Sequence, residues 1–404
     1  RGTLTEYLTL CLNTLCGRWL RAGEPLPNPG VLTPATQPRA QPIAPVPAWG
    51  FGERLRVRGF TNTAAGLPTA ALADEILLEG SGQVKALICV GGNPVAAWPD
   101  QQRTAAAMKR LELLVSLDPE MSATAKLAHY VIAPRLSFEQ PGITLPVETL
   151  SAYAYTMGYE VPYAQYTPQL VDPPAGSDVI EEWQFFFELA RSMGLALSLD
   201  SAFPWIAGGQ HAAPVVLDMA RAPTTDALLG ILTRGSRIPL AEVRGYPHGH
   251  VFDDVTVAVA PKDPACTAKL ELADPVMLAE LKEVADEAGV TAPGYAFRLI
   301  PRRLPDVYNS YGRSIARLVR KHRHNPAFLH PDDLREIGVA PGDMVEILSR
   351  HDSILGVAEA DEGLRRGVVS MTPAFGDLHG ADDEAAVRRT GSTTGRLNPV
   401  DRDF

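Results

Sequence analysis

The chain has 404 residues, enough for two or three domains. With 46% hydrophobic and 21% charged residues it reads as an ordinary globular protein, and a net charge of −10 speaks against nonspecific nucleic-acid binding. No run of about 18 apolar residues occurs, so no membrane span is expected. Four cysteines (Cys11, Cys16, Cys89, Cys266) form no CxxC pair, which excludes a disulfide scaffold and leaves reduced, buried thiols of a cytoplasmic protein as the expectation.

Arg1 is followed directly by an amphipathic pattern (Leu4, Tyr7, Leu8, Cys11, Leu12, Leu15), which predicts a helix over residues 1–20 ending near Gly17 or Gly23. With no initiator Met or signal-like segment, the chain reads as starting inside a larger protein. Residues 24–48 carry Pro25, Pro27, Pro29, Pro34, Pro38, Pro42, Pro45 and Pro47, a stretch that cannot be helical and is expected to be extended. From residue 68 helices (68–79, 100–112, 121–128) alternate with short apolar strands (84–90, 113–118, 129–134). That alternation indicates a parallel α/β sheet, with Ala105, Met108 and Leu111 facing inward.

Residues 137–176 are rich in Pro, Gly and Tyr and show no clean period. A helix is expected at 178–193, with Asp178 near its N-cap and Gly194 at its stop. Further helices are expected near 214–232 and at 275–288, and β structure at 251–259 and 267–272. From residue 295 short strands within AFRLIP, DMVEILSR, SILGVAEA and GVVSMTP are separated by Gly, Pro or Asp turns, as in a closed or sandwiched β domain over roughly 290–404.

Four stretches bear on chemistry. Gly91-Gly92-Asn93-Pro94 follows the strand at 84–90; ligands of open α/β sheets bind at such strand ends, where glycines let a phosphate approach the main chain. It is not a GxGxxG, and by itself it also suits an ordinary turn. Asp118 ends the next strand, where an acid can hold a ribose or a purine amine, or serve as a turn residue. The basic run 302–325 (Arg302, Arg303, Arg313, Arg317, Arg320, Lys321, Arg323) offers guanidinium forks for phosphate, or a solvated face. Residues 328–349 read as a packing unit of strand, short helix at 331–337, Gly338 stop and Pro-Gly-Asp turn. The HxH pairs, His248/His250 and His322/His324, have no acid or cysteine at ligand spacing, so no metal site is expected.

Taken in order, these stretches resemble the C-terminal part of the molybdopterin oxidoreductases, the family of formate dehydrogenases, nitrate reductases and dimethyl sulfoxide reductases, and most closely its formate-dehydrogenase-like branch. The resemblance rests on residues 86–134 (strand–GxNP–helix–strand–Asp), on Glu139 and Gly142 in FEQPGIT, on RLIPRRLPDVYNSYGRS, and most specifically on residues 325–376. It implies an α/β, Rossmann-like parallel-sheet domain at 1–200 (incomplete at its N-terminal side), a connecting region at 201–290, and a six-stranded double-psi β-barrel dinucleotide-binding domain at 291–404.

The cofactor so implied is bis-molybdopterin guanine dinucleotide with molybdenum or tungsten. The resemblance implies that Gly91, Gly92 and Asn93 line one nucleotide's phosphates and that Asp118 recognises its guanosine. Arg302, Arg303, Asn309 and Ser310 would contact the other nucleotide. No catalytic residue and no metal ligand is expected in this chain; the [4Fe–4S] cluster and the metal ligand belong to an upstream region of the same enzyme, with an electron-transfer subunit as further partner. Three positions depart from the family pattern: His129 stands for an Asp, and Thr393 and Gly395 for asparagines in 391–401. The last two favour a second reading, a noncatalytic binding or assembly module with weakened cofactor contact.

Overall fold

The computed structural model describes residues 2–43, 49–63, 66–150, 158–200, 213–287, 294–317, 319, 323–378 and 382–400. Pro45, Pro47, Arg320, Lys321, His322 and Asp401 lie outside the described residues. The chain forms two compact units, each built from two separate stretches: Arg1–Pro45 with Pro134–Ala288, and Val46–Ala133 with Gly289–Phe404.

In the first unit the opening helix runs Gly2–Leu15, and Gly17 leaves it at φ 65°. Over its described residues, 24–43, the proline-rich stretch holds no helix, as expected. It meets residues 257–260 through isolated bridges (Pro25 with Ala258, Arg39 with Ala260) instead of a ladder, because proline supplies no N–H. For the same reason the strand expected at 251–259 reduces to His250–Val251, paired with Tyr163–Ala164. No strand forms at 267–272; its alternating residues find no partner edge there. The helix expected at 214–232 begins only at Thr225, after Pro223, with the Thr224 hydroxyl accepting from the Ala227 N–H. The helix expected at 178–193 runs Glu182–Ser192. Its cap is Glu181, not Asp178, because Glu181 and Gln184 form a reciprocal capping box. Pro275–Glu287 is helical.

The carboxylate of Glu148, 3% exposed, accepts the backbone N–H groups of Val31 (2.9 Å), Leu32 (2.9 Å) and Thr33 (3.1 Å). Burial nevertheless outweighs these donors and raises its pKa. The contact fastens the proline-rich stretch to a core of Val31, Leu32, Leu145, Ala164, Leu240 and Val243.

In the second unit Ala86–Val90, Leu113–Leu117 and Tyr130–Ile132 form a three-stranded parallel sheet in that order. The helix Gln101–Arg110 covers it and buries Ala105 and Met108, with Leu111 buried just beyond its end. The helix expected at 121–128 is a single 3-10 turn, Ala125–Leu127. The Thr124 N–H donates to the Asn93 side chain, and the turn closes through Leu127 N–H to the Thr124 carbonyl and Ala128 N–H to the Ala125 carbonyl. The remainder is a mixed five-stranded sheet in the order Arg298–Pro301, Val368–Met371, Ala327–Leu329, Ser353–Ala360, Met344–Leu348. Among the described residues this sheet stands where the resemblance implies a six-stranded barrel. Its core is Ala327, Leu329, Leu334, Ile354, Ala358, Val369, Met371 and Leu397. The short helix Pro331–Glu336 is capped by His330 Nδ1 and ends before Gly338 at φ 70°. Buried Asp333 joins it to Arg366 and to the Gly367 N–H.

Among the described residues no helix is long and apolar enough to cross a membrane. All four cysteines are free; Cys89 is buried, whereas Cys16 is exposed, contrary to the expectation of buried thiols throughout. His250 stacks on Tyr246 at 4.1 Å and meets Phe252 edge-on, which accounts for one member of an HxH pair as packing.

Replacing Glu148 by Ala strands three buried N–H groups and is expected to destabilise the first unit by about 3 kcal/mol. Glu148→Gln, which keeps an acceptor, should cost clearly less. Chemical denaturation of the two variants checks the order.

Candidate functional site

All eight residues singled out from the sequence lie in the second unit. The strand Ala86–Val90 delivers Gly91, whose φ of 55° is a conformation that favours glycine. A Cβ on Gly91 would stand 3.7 Å from the Tyr311 hydroxyl. Gly92 differs: its φ is not positive, and a Cβ would meet only the Val90 carbonyl oxygen at 3.7 Å, an ordinary contact. Neither conformation nor packing within the chain therefore explains the second glycine.

Asn93 is 6% exposed. Its Oδ1 accepts from the Thr124 N–H (3.1 Å) and hydroxyl (2.9 Å), which fixes the amide orientation and turns Nδ2 away; this buried N–H donor has no partner. Asp118 is 4% exposed, and its Oδ1 accepts the Glu120 N–H at 2.9 Å. The turn role and the ligand role considered for this residue are thus compatible, since only one carboxylate oxygen is used. Nearby Cys89 has its thiol pushed up to about 11 by burial and by the Asp118 charge, so it is inert.

Asp118 and Ser310 line one cleft of about 210 Å³, together with Glu120, Lys126, Tyr311 and Arg313. Arg323, Gly376, Asp377 and Arg389 complete its charged and open wall. Lys126 is paired with Asp377, and the Ser314 hydroxyl donates to Glu120. Arg313 donates from Nε to the Ser310 carbonyl (3.1 Å) and lies over the Phe375 ring, 5.2 Å from its centroid. Burial pushes its pKa down, opposed by Glu120 and Asp377. Among the described residues Arg313, Arg323 and Arg389 form no ion pair. The cleft thus sets a carboxylate with a spare oxygen against three guanidinium groups that form no direct ion pair, with Glu120 and Asp377 in the same wall. That combination suits a ligand with a donor-bearing ring at one end and an anion at the other.

The other barrel-side residues are placed differently. Arg302 is bonded to Asp361 and stacks on Phe328 at 3.9 Å, so it is already engaged within the sheet. Arg303 donates to the Asn309 side chain at 2.5 Å, and both are exposed; Asn309 has φ 54°. None of these three lines the cleft. Arg317 of the basic run does not line it either. Arg389 and Lys126 do. Nothing in their local sequence marks them, since each reads as a surface cation on or beside a helical turn. Glu139 and Gly142 belong to the first unit, where Glu139 accepts the Leu136 N–H at 2.8 Å.

Residues 297–400 match the family described as molydopterin dinucleotide binding domain. The chain is 24% identical over 309 residues to the F420-dependent formate dehydrogenase subunit alpha of Methanocaldococcus jannaschii, covering 75% of this chain and 41% of that protein. It is 33% identical over 126 residues to the NADPH-Fe(3+) oxidoreductase subunit alpha of Geobacter sulfurreducens, covering 30% of this chain and 13% of the relative. The solved acetylene hydratase from Pelobacter acetylenicus shares the fold with TM-score 0.50 at 18% identity, over 83% of this chain and 44% of that one. Residues 297–400 thus carry a molydopterin dinucleotide binding domain, and the chain as a whole is similar to the C-terminal part of molybdopterin oxidoreductases. It spans about two fifths of the length of the formate dehydrogenase alpha subunits it matches.

The Arg302 guanidinium, aided by the Gly363 N–H, holds Asp361 below the usual carboxylate range. A depressed folded-state pKa contributes stability above the unfolded value of about 4, which is lost as pH falls through the lower folded value. Arg302→Met should therefore lower the melting temperature at pH 7, and the gap to wild type should narrow below about pH 4. Parallel melting curves across pH check it.

Proposed function

We propose that the chain is the cofactor-binding portion of a molybdenum- or tungsten-dependent, formate-dehydrogenase-like oxidoreductase, holding a guanine dinucleotide end of bis-molybdopterin guanine dinucleotide in the second unit's cleft. The observation that carries this reading is the pairing of buried Asp118 with three unpaired arginines across one small cleft.

The residues fit the group. The free oxygen of Asp118 is an acceptor for the N–H edge of guanine. Arg313, Arg323 and Arg389 supply forks for pyrophosphate oxygens. Gly91 and Gly92 leave backbone bare at the strand end, and the unpartnered Nδ2 of Asn93 is a donor held ready by Thr124. Ser310 shares the cleft with Asp118 and so is assigned to the same nucleotide, while exposed Arg303 and Asn309 remain for the second. Arg302 serves the domain's own stability through Asp361.

When bound, the cofactor supplies the two-electron redox chemistry; this chain's residues hold it and exclude water from its nucleotide end. The metal ligand and the [4Fe–4S] cluster are assigned to a further region of the same enzyme. An electron-transfer subunit is the expected partner, and the cytoplasm the expected location. The buried Thr393 and Gly395, in place of asparagines, favour the second reading, a noncatalytic module of the same domains.

Gly92→Trp separates ligand from fold. The intact protein should lose pterin more than it loses stability, because a Cβ at Gly92 meets only the Val90 carbonyl oxygen at an ordinary 3.7 Å. Equal pterin in the variant would return the loop to the role of a turn. Intact wild-type protein free of molybdenum, tungsten and pterin would establish the noncatalytic reading instead.

A further inference from the structure

The closing segment, residues 391–398, stands where the family resemblance expects ligand-contacting asparagines, yet its residues are spent inward. Thr393 is 4% exposed; its hydroxyl donates to the Phe375 carbonyl and accepts from Gln101 Nε2 at 3.1 Å. A Cβ on Gly395 would stand 2.6 Å from the Trp98 carbonyl oxygen, closer than real contacts allow, so an asparagine cannot enter without moving backbone. The Asp100 N–H points at both the Gly395 and Asn398 carbonyls, each at 2.9 Å.

The same segment closes around Phe375. Gly391 packs against the ring, where a Cβ would come within 3.0 Å of Cδ1, and Gly376 packs against the Thr393 N–H, where a Cβ would come within 2.8 Å. Asn325, 1% exposed, donates to the Thr372 (2.7 Å) and Ser392 (2.8 Å) carbonyls and accepts the Ser392 N–H (2.8 Å). Phe375 is itself fully buried, and its ring is the surface over which the Arg313 guanidinium lies. An arginine without an ion-pair partner keeps its place by such packing.

We infer that Thr393 is a positioning residue of the cleft: it fixes the Phe375 peptide, Phe375 seats Arg313, and the closing segment serves anion binding from behind without touching the ligand. This rests on the nucleotide reading of the cleft. The two departures from the family pattern then have one cause. Thr393 and Gly395 suit a segment that braces the cleft wall against the start of the helix Gln101–Arg110.

The test uses the full chain with GDP and guanosine as probes in isothermal titration, alongside thermal melts. Thr393→Val removes the hydroxyl at nearly constant volume. It should weaken GDP about three- to tenfold and leave guanosine within about twofold, since only GDP carries the anion that Arg313 meets. Thr393→Ser should restore GDP binding. If Thr393→Val does not fold, Gln101→Leu interrupts the same chain and should show the same split. A lower melting temperature with no difference between the probes would overturn the inference, as would tighter GDP binding by Gly395→Asn. Loss of GDP binding in Arg313→Ala with Thr393→Val unchanged would sink the positioning role alone. Arg313→Ala binding GDP like wild type, or wild type not binding it, would remove the nucleotide reading and the inference with it.

Discussion

The side-chain oxygen of Asn93 receives two donors from one residue, the N–H and the hydroxyl of Thr124, and that hydroxyl in turn accepts the Val95 N–H. This small ring of bonds joins the carboxyl ends of two neighbouring parallel strands. It holds the loop after Ala86–Val90 beside the loop after Leu113–Leu117; Asp118 in the second lines the cleft, whereas Gly91, Gly92 and Asn93 in the first do not. Residues Ser122 and Lys126, on either side of Thr124, line the cleft. The amide N–H left over from this ring is buried and has no hydrogen-bond partner within the described residues.

Much of this was legible in the sequence wherever a local rule decided the outcome. The strands at 86–90 and 113–117, the buried face of Gln101–Arg110 and the capped unit at 331–338 follow from periodicity, capping and glycine conformation, which act over a few residues. Readings failed where a distant partner overruled the local pattern. Residues 251–259 alternate like a strand but face a proline-rich partner that cannot complete a ladder. Asp178 is a good cap in isolation and lost to the Glu181–Gln184 box three residues on.

The site divides the same way. Asp118 is placed at a cleft by the rule that open sheets bind ligands at strand ends, whereas Gly91 and Gly92, picked by the same rule, do not line it. Arg302 looked equivalent to Arg313 in the basic run, and only tertiary structure shows one bonded to Asp361 and the other unpaired. Arg389 could not be found at all, since its helix gives no sign of what its last turn faces. The family match at 297–400 and the formate dehydrogenase relatives supply the chemical class of ligand; the cleft supplies the residues that would meet it.

The second unit is assembled from residues 46–133 and 289–404, with a whole stretch of the other unit made in between. Its three-stranded sheet is local, but Gln101 meets Thr393 only across a separation of 292 residues, and Asp100 meets Gly395 across a similar one. Contacts of such sequence separation are slow to form and carry a loop-closure cost that grows only weakly with length. The cleft, which draws walls from both stretches, is therefore completed only after the second stretch has been made. Any ligand that binds it must be captured after translation of this region, not during it.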